Sequence, residues 1–375
     1  MKTLVTGGAG FIGSHTVDLL LQQGHSVRIL DNLTPPVHIE GQVPTYVPRD
    51  AEFVLGDVRD RAAWERALDG VDAVFHFAAY QDYLTDFSKF FHVNTVGTAL
   101  LYEIVVEKKL PIQKIVVASS QATYGEGRYE CPTDGVQYPP LRPVEQLMRR
   151  EWEPRCPVCG GALKMLITDE ARVNPHNQYA MSKYTQEMLA LNLGRRYNIP
   201  SVAMRFSIVQ GPRQSFRNAY SGAMRIFATR LLSNRAPICY EDGQQLRDFI
   251  SVHDVARANV LVMQDPRANY QVFNVGGGRA ISVVEFARLV ARRMGVNIAP
   301  ETPGQFRFGD TRHIVSDISK LRALGWEPRV AFDESIDEYV AWARSQPDVR
   351  DYYVDAEREM LARGTIRETG KQADK

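Results

Sequence analysis

Tyr179 and Lys183 stand four residues apart in Tyr179-Ala180-Met181-Ser182-Lys183. On a helix that spacing stacks the two side chains on one face. A phenol is a weak base near neutral pH, because its unperturbed pKa is about 10. A neighbouring ammonium favours the phenolate and brings it toward a useful range for general base catalysis. Tyr-x-x-x-Lys is common in ordinary helices, so its weight depends on its surroundings. Ser119 and Ser120 close the strand-like run Ile115-Val116-Val117-Ala118. They would sit at the carboxyl end of a strand, where parallel sheets place their ligands.

A second group could hold a dinucleotide. Gly7-Gly8-Ala9-Gly10-Phe11-Ile12-Gly13 follows the first strand-like run and opens a helix. Gly7 and Gly10 permit a tight turn and close backbone approach to a pyrophosphate, and Gly13 lets the helix pack on the strand. The free N–H groups of that helix end attract anions. Asp31 ends the second strand, 18 residues beyond Gly13, where a carboxylate grips ribose hydroxyls. It would repel a 2′-phosphate, which favours NAD over NADP. Asp57, in Gly56-Asp57-Val58 after the next strand, could reach an adenine amine. With Asn32 they complete the adenosine end of the expected NAD site.

Strands and helices must alternate to position these groups. Leu4-Val5, Val27–Leu30, Phe53–Leu55, Ala73–Phe75 and Ile115–Ala118 read as buried strands. Ile12–Gln23, Ala62–Leu68 and Val93–Lys108 read as the helices between them. That order predicts an α/β fold, a Rossmann-type doubly wound parallel sheet. Helices over 178–197, 220–233, 254–263 and 283–294 and strands over 201–209, 249–252 and 271–275 continue the pattern. The expected division is a dinucleotide-binding domain over 1–205 and 236–275, with a smaller interleaved α/β lobe over 206–235 and 276–345. Residues 126–172, crowded with Pro, Cys, Arg and Glu, read as an insertion, and 346–375 as a solvated helical tail.

Composition narrows the classes. Apolar residues make up 44% of the 375, and Lys plus Arg number 45 against 44 Asp plus Glu, a net charge of +1. No nucleic acid partner is indicated, and no apolar run approaches the roughly 20 residues of a membrane span. Met1-Lys2 leads directly into Thr3-Leu4-Val5-Thr6, which leaves no room for a signal peptide, so a cytoplasmic location is expected. Four cysteines are too few for a disulfide scaffold and fit a reducing compartment.

In this order the residues resemble the extended short-chain dehydrogenase/reductases. The motifs are Thr6–Gly13, His76-Phe77-Ala78-Ala79, Asn94-Thr95-Val96-Gly97-Thr98, Ser119-Ser120 through Tyr124-Gly125, and Tyr179 with Lys183. Gly211-Pro212-Arg213-Gln214, Arg247-Asp248-Phe249 and Arg307-Phe308-Gly309-Asp310 extend the likeness to the nucleotide-sugar epimerases and dehydratases, over residues 1 to about 345 apart from the insertion. The resemblance implies a nucleotide-diphosphate sugar as substrate and NAD as a tightly held, recycled cofactor. It makes Tyr179 the base at the sugar 4-hydroxyl. Lys183 would hold the nicotinamide ribose and lower the tyrosine pKa. Ser120 would bond the same hydroxyl, with Ser119 assisting. Ala78, Ala79, Asn94 and Phe206 would line the NAD site. Arg213, Arg247 and Arg307 would contact substrate, the last two at its diphosphate, with Asp310 at the ribose and Gln81 near the sugar. Relatives that only bind dinucleotide lack the Tyr/Lys pair, so an enzyme is expected.

Dehydratases of this family carry an acidic pair just after the serine or threonine, and decarboxylating relatives a glutamate. Here those positions are Gln121 and Ala122. A 4-epimerase remains, needing only hydride and proton shuttling, with a 4-keto reductase as its nearest rival. Ser207-Ile208-Val209-Gln210, with Ile208 where many members have asparagine, and Tyr80-Gln81-Asp82-Tyr83 resemble the dTDP-L-rhamnose 4-epimerase group, while UDP-hexose epimerisation stays open. Relatives commonly form a homodimer through two helices, here those over 93–108 and 178–197.

Ser120 and Tyr179 are 59 residues apart, roughly twice the gap of compact relatives. Within the extra chain, Cys156-Pro157-Val158-Cys159-Gly160 has the form of a zinc knuckle, and Cys131-Pro132-Thr133-Asp134 repeats its spacing with aspartate in the fourth place. These four residues are a candidate structural zinc site, with His176 as a substitute ligand and inert reduced thiols as the alternative. Cys239 reads as a small buried hydrophobe.

Overall fold

The computed structural model describes residues 1–39, 41–82, 85–218 and 222–369. The first half runs β1 (Lys2–Thr6), α1 (Phe11–Gln22), β2 (Ser26–Asp31), β3 (Glu52–Leu55), α2 (Arg61–Leu68), β4 (Ala73–His76), α3 (Phe87–Phe90), α4 (Gly97–Glu107) and β5 (Lys114–Ser120). The insertion adds β6 (Tyr129–Cys131), β7 (Gly135–Gln137), α5 (Val144–Met148) and β8 (Lys164–Met165). Then come α6 (Gln178–Arg196), β9 (Ser201–Phe206), β10 (Ile208–Gln210), α7 (Ala223–Leu232), β11 (Leu246–Ser251), α8 (Val252–Gln264), β12 (Gln271–Val275), β13 (Ala280–Ser282) and α9 (Val283–Met294). The chain closes with β14 (Phe306–Arg307), α10 (Ser319–Arg322), α11 (Phe332–Ser345), α12 (Tyr353–Ala362) and β15 (Ile366–Arg367). No helix among the described residues is long and apolar enough to cross a membrane.

Seven strands form one sheet in the order β12-β9-β5-β4-β1-β2-β3. All six pairings are parallel. Parallel strands buried on both faces must be apolar throughout, and Leu4, Val5, Ile29, Val74, Phe75, Val116, Val117 and Val202 are all sealed from solvent. One face packs under α1 and α8, the other under α2, α4 and α6. Strand order reverses between β1 and β4, and ligands of such sheets bind in that crevice, at the strands' carboxyl ends. The Rossmann-type fold class is as expected.

Four expectations need correction. The strand over 201–209 is two: β9 ends in the large sheet at Phe206, and β10 joins β11 and β13 in a separate three-stranded sheet. Ser207 marks the break, its N–H bonded to the Val275 carbonyl. β11 lies in that small sheet too, so the smaller lobe already includes 246–251, which the expected boundary at 236 placed in the other domain. The helix over 93–108 extends back to Phe87, with a π-helical turn over Phe91–Val96. Residues 346–369 do not form a solvated tail: Tyr353, Met360 and Ile366 are buried against Ile226, Ile238 and Tyr240, and β15 pairs with β14. On α12 the spacing of Tyr353, Ala356 and Met360 gives an apolar stripe that the surrounding Arg, Glu and Asp conceal. Of the helix over 220–233, Tyr220 and Ser221 lie outside the described residues.

The insertion builds a small sheet, β7-β6-β8, beside a cluster of Leu147, Trp152 and Phe306. Ion pairs of two buried arginines fasten it to the lobe. Arg142 meets Glu126 at 2.8 Å and Glu241 at 2.9 Å, and Arg312 meets Glu241 at 2.9 Å and Glu153 at 2.7 Å.

Candidate active site

A cavity of about 890 Å³ lies at the carboxyl ends of the strands, between the large sheet and the smaller lobe. Its floor is the β1–α1 turn. Gly7 sits at φ +67°, and a Cβ there would meet the Ala78 backbone nitrogen at 2.8 Å. A Cβ on Gly13 would strike the Gly7 carbonyl at 2.1 Å. α1 is capped by Gly10 with no side chain on its first N–H groups, which leaves them for an anion. Phe11, Ile12, Asn32, Val58, Ala78, Ala79 and Phe206 also line this cavity.

Asp31 closes β2 at its edge. Its carboxylate accepts from the backbone N–H of Ala9 at 3.1 Å and of Leu33 at 2.9 Å, so it also holds the glycine turn in shape. Asp57 pairs with Arg59 at 2.7 Å and accepts from Asn32 at 2.9 Å. Burial would raise its pKa, but these bonds outweigh burial and hold it at about 2. The residues therefore fit NAD: a glycine cradle that side chains would fill, an uncapped helix end for the pyrophosphate, and carboxylates at the adenosine end.

Asn94 does not line the cavity. Fully buried in the π-helical turn, it bonds the Tyr80 backbone in both directions, at 2.8 and 3.1 Å, and reaches Ser182 Oγ at 2.9 Å. It positions the loop after β4. Behind that loop runs a chain the sequence reading missed. Lys183 Nζ donates to Gln186 at 2.6 Å, Gln186 to Thr98 at 3.0 Å, His76 lies 3.0 Å from Thr98, and Thr6 2.8 Å from His76.

α6 starts where Asn177 accepts from the Ala180 N–H at 2.9 Å, which places Tyr179 in its first turn and Lys183 in its second. Both line the cavity with Ser119 and Ser120. Burial pushes the Tyr179 pKa up to about 12, against a lowering hydrogen bond with Ser120. Burial pulls Lys183 down to about 7. The expected lowering of the phenol by the ammonium is not seen, because burial dominates both groups and Lys183 Nζ turns to Gln186. Ser119 turns away: its hydroxyl donates to Glu187 at 3.0 Å, and Glu187 holds Arg205 at 2.5 Å.

At the other end stand Gln81, Arg247, Arg307 and Asp310. Arg307 Nε is 2.8 Å from Asp310, and its guanidinium lies over the Tyr240 ring at 4.9 Å. Arg247 donates to the Thr311 and Arg312 carbonyls at 2.6 and 2.8 Å, which anchors the loop carrying Asp310. Arg213 is not brought to this site. At φ +67° it pairs with Asp18 at 2.7 Å in a separate cleft with His15, Tyr46 and His253. Gln121 and Ala122 line the cavity beside Ser120, as does Ile208. Tyr83 lies outside the described residues.

The model of the NAD dependent epimerase/dehydratase family matches residues 3–146 and 161–276. The chain belongs to that family. It is thus an enzyme of the NAD-dependent epimerase/dehydratase type. A dTDP-L-rhamnose 4-epimerase of Burkholderia thailandensis is 32% identical over 353 residues, 92% of this chain and 96% of the relative. The UDP-glucose 4-epimerase of Thermotoga maritima, solved with UDP-glucose, has a TM-score of 0.75 at 30% identity, covering 92% of this chain and 99% of that one. The Thermus thermophilus UDP-glucose 4-epimerase, solved with NAD, has a TM-score of 0.70 at 29% identity, covering 92% and 99%.

Within this epimerase/dehydratase fold the cavity also takes in Arg225 and Tyr353. Neither sits in a motif: Arg225 lies in the first turn of α7, and Tyr353 lies in the supposed tail. The family match passes over 147–160, which holds half of the cysteine cluster. Cys131, Asp134, Cys156 and Cys159 do converge, their ligand atoms all within 4.8 Å of one another. His176 is elsewhere, where a Cβ on Gly125 would meet its ring at 2.7 Å. Cys239 is buried, as expected of a small hydrophobe.

Proposed function

We propose that this enzyme is a nucleotide-sugar 4-epimerase acting on a dTDP-linked 6-deoxyhexose, interconverting dTDP-L-rhamnose and dTDP-6-deoxy-L-talose. The observation that carries the reaction type is the pairing of Tyr179 with Ser120 in a cavity where the next two positions are Gln121 and Ala122. Neither of those can protonate a leaving hydroxyl or remove a C5 proton, so dehydration loses its acid and base. The sugar rests on two supports: Ile208 in the cavity wall, which suits an apolar C6 methyl, and the 32% identity to the Burkholderia protein of that name.

Bound NAD+ would supply the hydride acceptor and donor that C4 inversion needs. Tyr179, oriented by Ser120, takes the O4 proton as the 4-keto sugar forms and gives it back when C4 is reduced. Lys183 would hold the nicotinamide ribose. Arg247 and Arg307 take the diphosphate and Asp310 the ribose, an anchor that stays fixed while the sugar turns over. Arginine suits this work because its planar fork matches phosphate oxygens.

Two finer points belong to the same reading. Val96, Met181 and Met188 are exposed on the surface of the α4 and α6 region, which supports a homodimer through those helices. A cytoplasmic setting fits three thiols kept reduced as ligands for zinc. The second substrate reading, a UDP-hexose, is favoured by the fold likeness to an enzyme solved with UDP-glucose.

The test is a panel of dTDP- and UDP-sugars incubated with the enzyme without added cofactor and followed by proton NMR. C4 inversion of dTDP-L-rhamnose, with no lasting change at 340 nm, is expected. Inversion only of UDP-hexoses would overturn the sugar assignment. Turnover only with added NADH would overturn the epimerase in favour of a reductase.

A further inference from the structure

We propose that Cys131, Asp134, Cys156 and Cys159 hold one tetrahedral structural Zn²⁺, and that this clip fixes the wall of the cavity that carries Asp310. The metal site stands on its own geometry. Its effect on substrate rests on the reading of Arg307 and Asp310 as the nucleotide contacts.

Zinc bound tetrahedrally at the usual Zn–S and Zn–O lengths sets its sulfurs about 3.8 Å apart and a sulfur and an oxygen about 3.5 Å apart. Here Cys131 Sγ lies 3.6 Å from Cys159 Sγ. Asp134 Oδ2 lies 3.3 Å from Cys131 Sγ and 3.2 Å from Cys156 Sγ. Two knuckles supply the ligands. The first is the β6–β7 hairpin, where Cys131 pairs with Gly135 at φ +69°. The second is the turn from Cys156 to Gly161, closed by Gly160 N–H to the Cys156 carbonyl and Cys156 N–H to the Gly161 carbonyl, both 2.9 Å, with Gly160 at φ +70°. Three thiolates select a soft metal such as zinc over magnesium or calcium. Four protein ligands leave no open position, the mark of a structural site, and none of the four lines the catalytic cavity.

The insertion needs such a clip. Its apolar cluster is small: Leu147 and Trp152 of the insertion against Phe306 of β14, with Val144 and Met148 beside them. Cores of that size are commonly held by a metal or disulfide. The clip also joins the two segments that cradle Arg142. Upstream of Cys131, Glu126 accepts from Arg142 Nε at 2.8 Å and from the Arg312 N–H at 2.7 Å. Upstream of Cys156, the Trp152 carbonyl accepts from Arg142 at 2.8 Å. Arg142 Nη2 then donates to the Asp310 carbonyl at 2.6 Å. Thr311 bonds the Gly125 carbonyl at 2.8 Å. The loop carrying Asp310 is therefore held from behind by chain that the metal ties together.

The full-length enzyme, purified under reducing conditions, should carry one zinc per chain by elemental mass spectrometry. A content far below one would overturn the site. Protein grown with Co²⁺ in place of zinc should show thiolate charge-transfer bands and the intense visible bands of a tetrahedral complex; an octahedral spectrum would overturn the ligand set. Asp134→Ala and Cys156→Ser should lower metal content, leave bound NAD unchanged and weaken binding of dTDP roughly tenfold or more, as displaced positioning groups do. Metal-depleted variants that bind dTDP as tightly as the parent would overturn the link to the cavity. Metal content and the cobalt spectrum need no sugar turnover, so failure of the site and failure of the epimerase reading give different results. If the variants do not fold, the cobalt spectrum of the parent chain still decides the site, and dTDP binding before and after chelation decides the link.

Discussion

Burial governs protonation at the centre of this molecule. The Tyr179 phenol is pushed up to about 12 and the Lys183 ammonium down to about 7, each mainly by exclusion from water. The Ser120 bond is therefore the specific contact that favours the phenolate, and the proposed reaction brings O4 of the sugar close to it. Tyr179→Phe removes only the proton carrier. It should cut kcat by roughly 10²–10⁴, the usual worth of a general base, while bound NAD and melting temperature stay near the parent values; rapid turnover by this variant would remove Tyr179 from the proposed role. His76 makes a second residue-scale prediction. Its ordinary pKa of 6.5 is lowered to about 3 by burial and by Lys183, so the folded state keeps it neutral. An unfolded chain takes up that proton below 6.5 and the folded chain does not. The stability held by neutral His76 is thus complete above pH 6.5 and is lost as pH falls toward 3, at about 1.4 kcal/mol per unit. Between pH 7.5 and 5, urea unfolding should show a larger loss for the parent than for His76→Asn; equal losses would mean that His76 is not the group responsible.

At the scale of elements, the decisive piece is the turn between β1 and α1. Gly13→Ala drives a methyl toward the Gly7 carbonyl, at 2.1 Å in the present geometry. Helix and strand must separate, and overpacking of this kind costs about 1–3 kcal/mol. The variant should melt lower and retain less NAD; full NAD content at the parent melting temperature would show that the turn adapts. This turn was legible in the sequence because glycine is the residue that fits it. So were Tyr179 and Lys183, whose spacing is a helix spacing, and the strand-end placing of Ser120. What stayed hidden depended on tertiary direction. Ser119 and Ser120 look alike in sequence, yet alternation along β5 sends one hydroxyl to Glu187 and the other toward Tyr179. Arg213 follows a Gly-Pro pair that suggested a substrate contact, but its backbone turns it toward Asp18. Asn94 counts as a lining residue through the family resemblance alone, and the π-helical turn that buries it leaves no mark on the apolar period. The break at Ser207 was hidden for a similar reason: 201–209 reads as one strand, although it serves two sheets.

At the scale of the whole molecule, the cavity has two ends held by different parts of the chain. The dinucleotide end is built from the large sheet and its loops. The other end is built from the small lobe, the insertion behind Asp310, and residues 353–369. Tyr353 and Thr365 reach the cavity wall, the Tyr240 and Tyr353 hydroxyls meet at 2.5 Å, and β15 pairs with the strand that carries Arg307. Arg150 of the insertion bonds Thr369 at 2.9 Å, so the same segment also ties the insertion to the lobe. Ending the chain after Tyr352 removes Tyr353, Ala356, Met360 and Ile366 from their apolar cluster and leaves β14 unpaired. The large sheet loses nothing. The truncated enzyme should therefore keep its NAD but bind dTDP roughly tenfold more weakly, about 1.4 kcal/mol. Calorimetric titration with dTDP beside cofactor content measures both ends at once. Loss of NAD in step with loss of dTDP binding would mean that 353–369 supports the whole protein rather than one wall of its site.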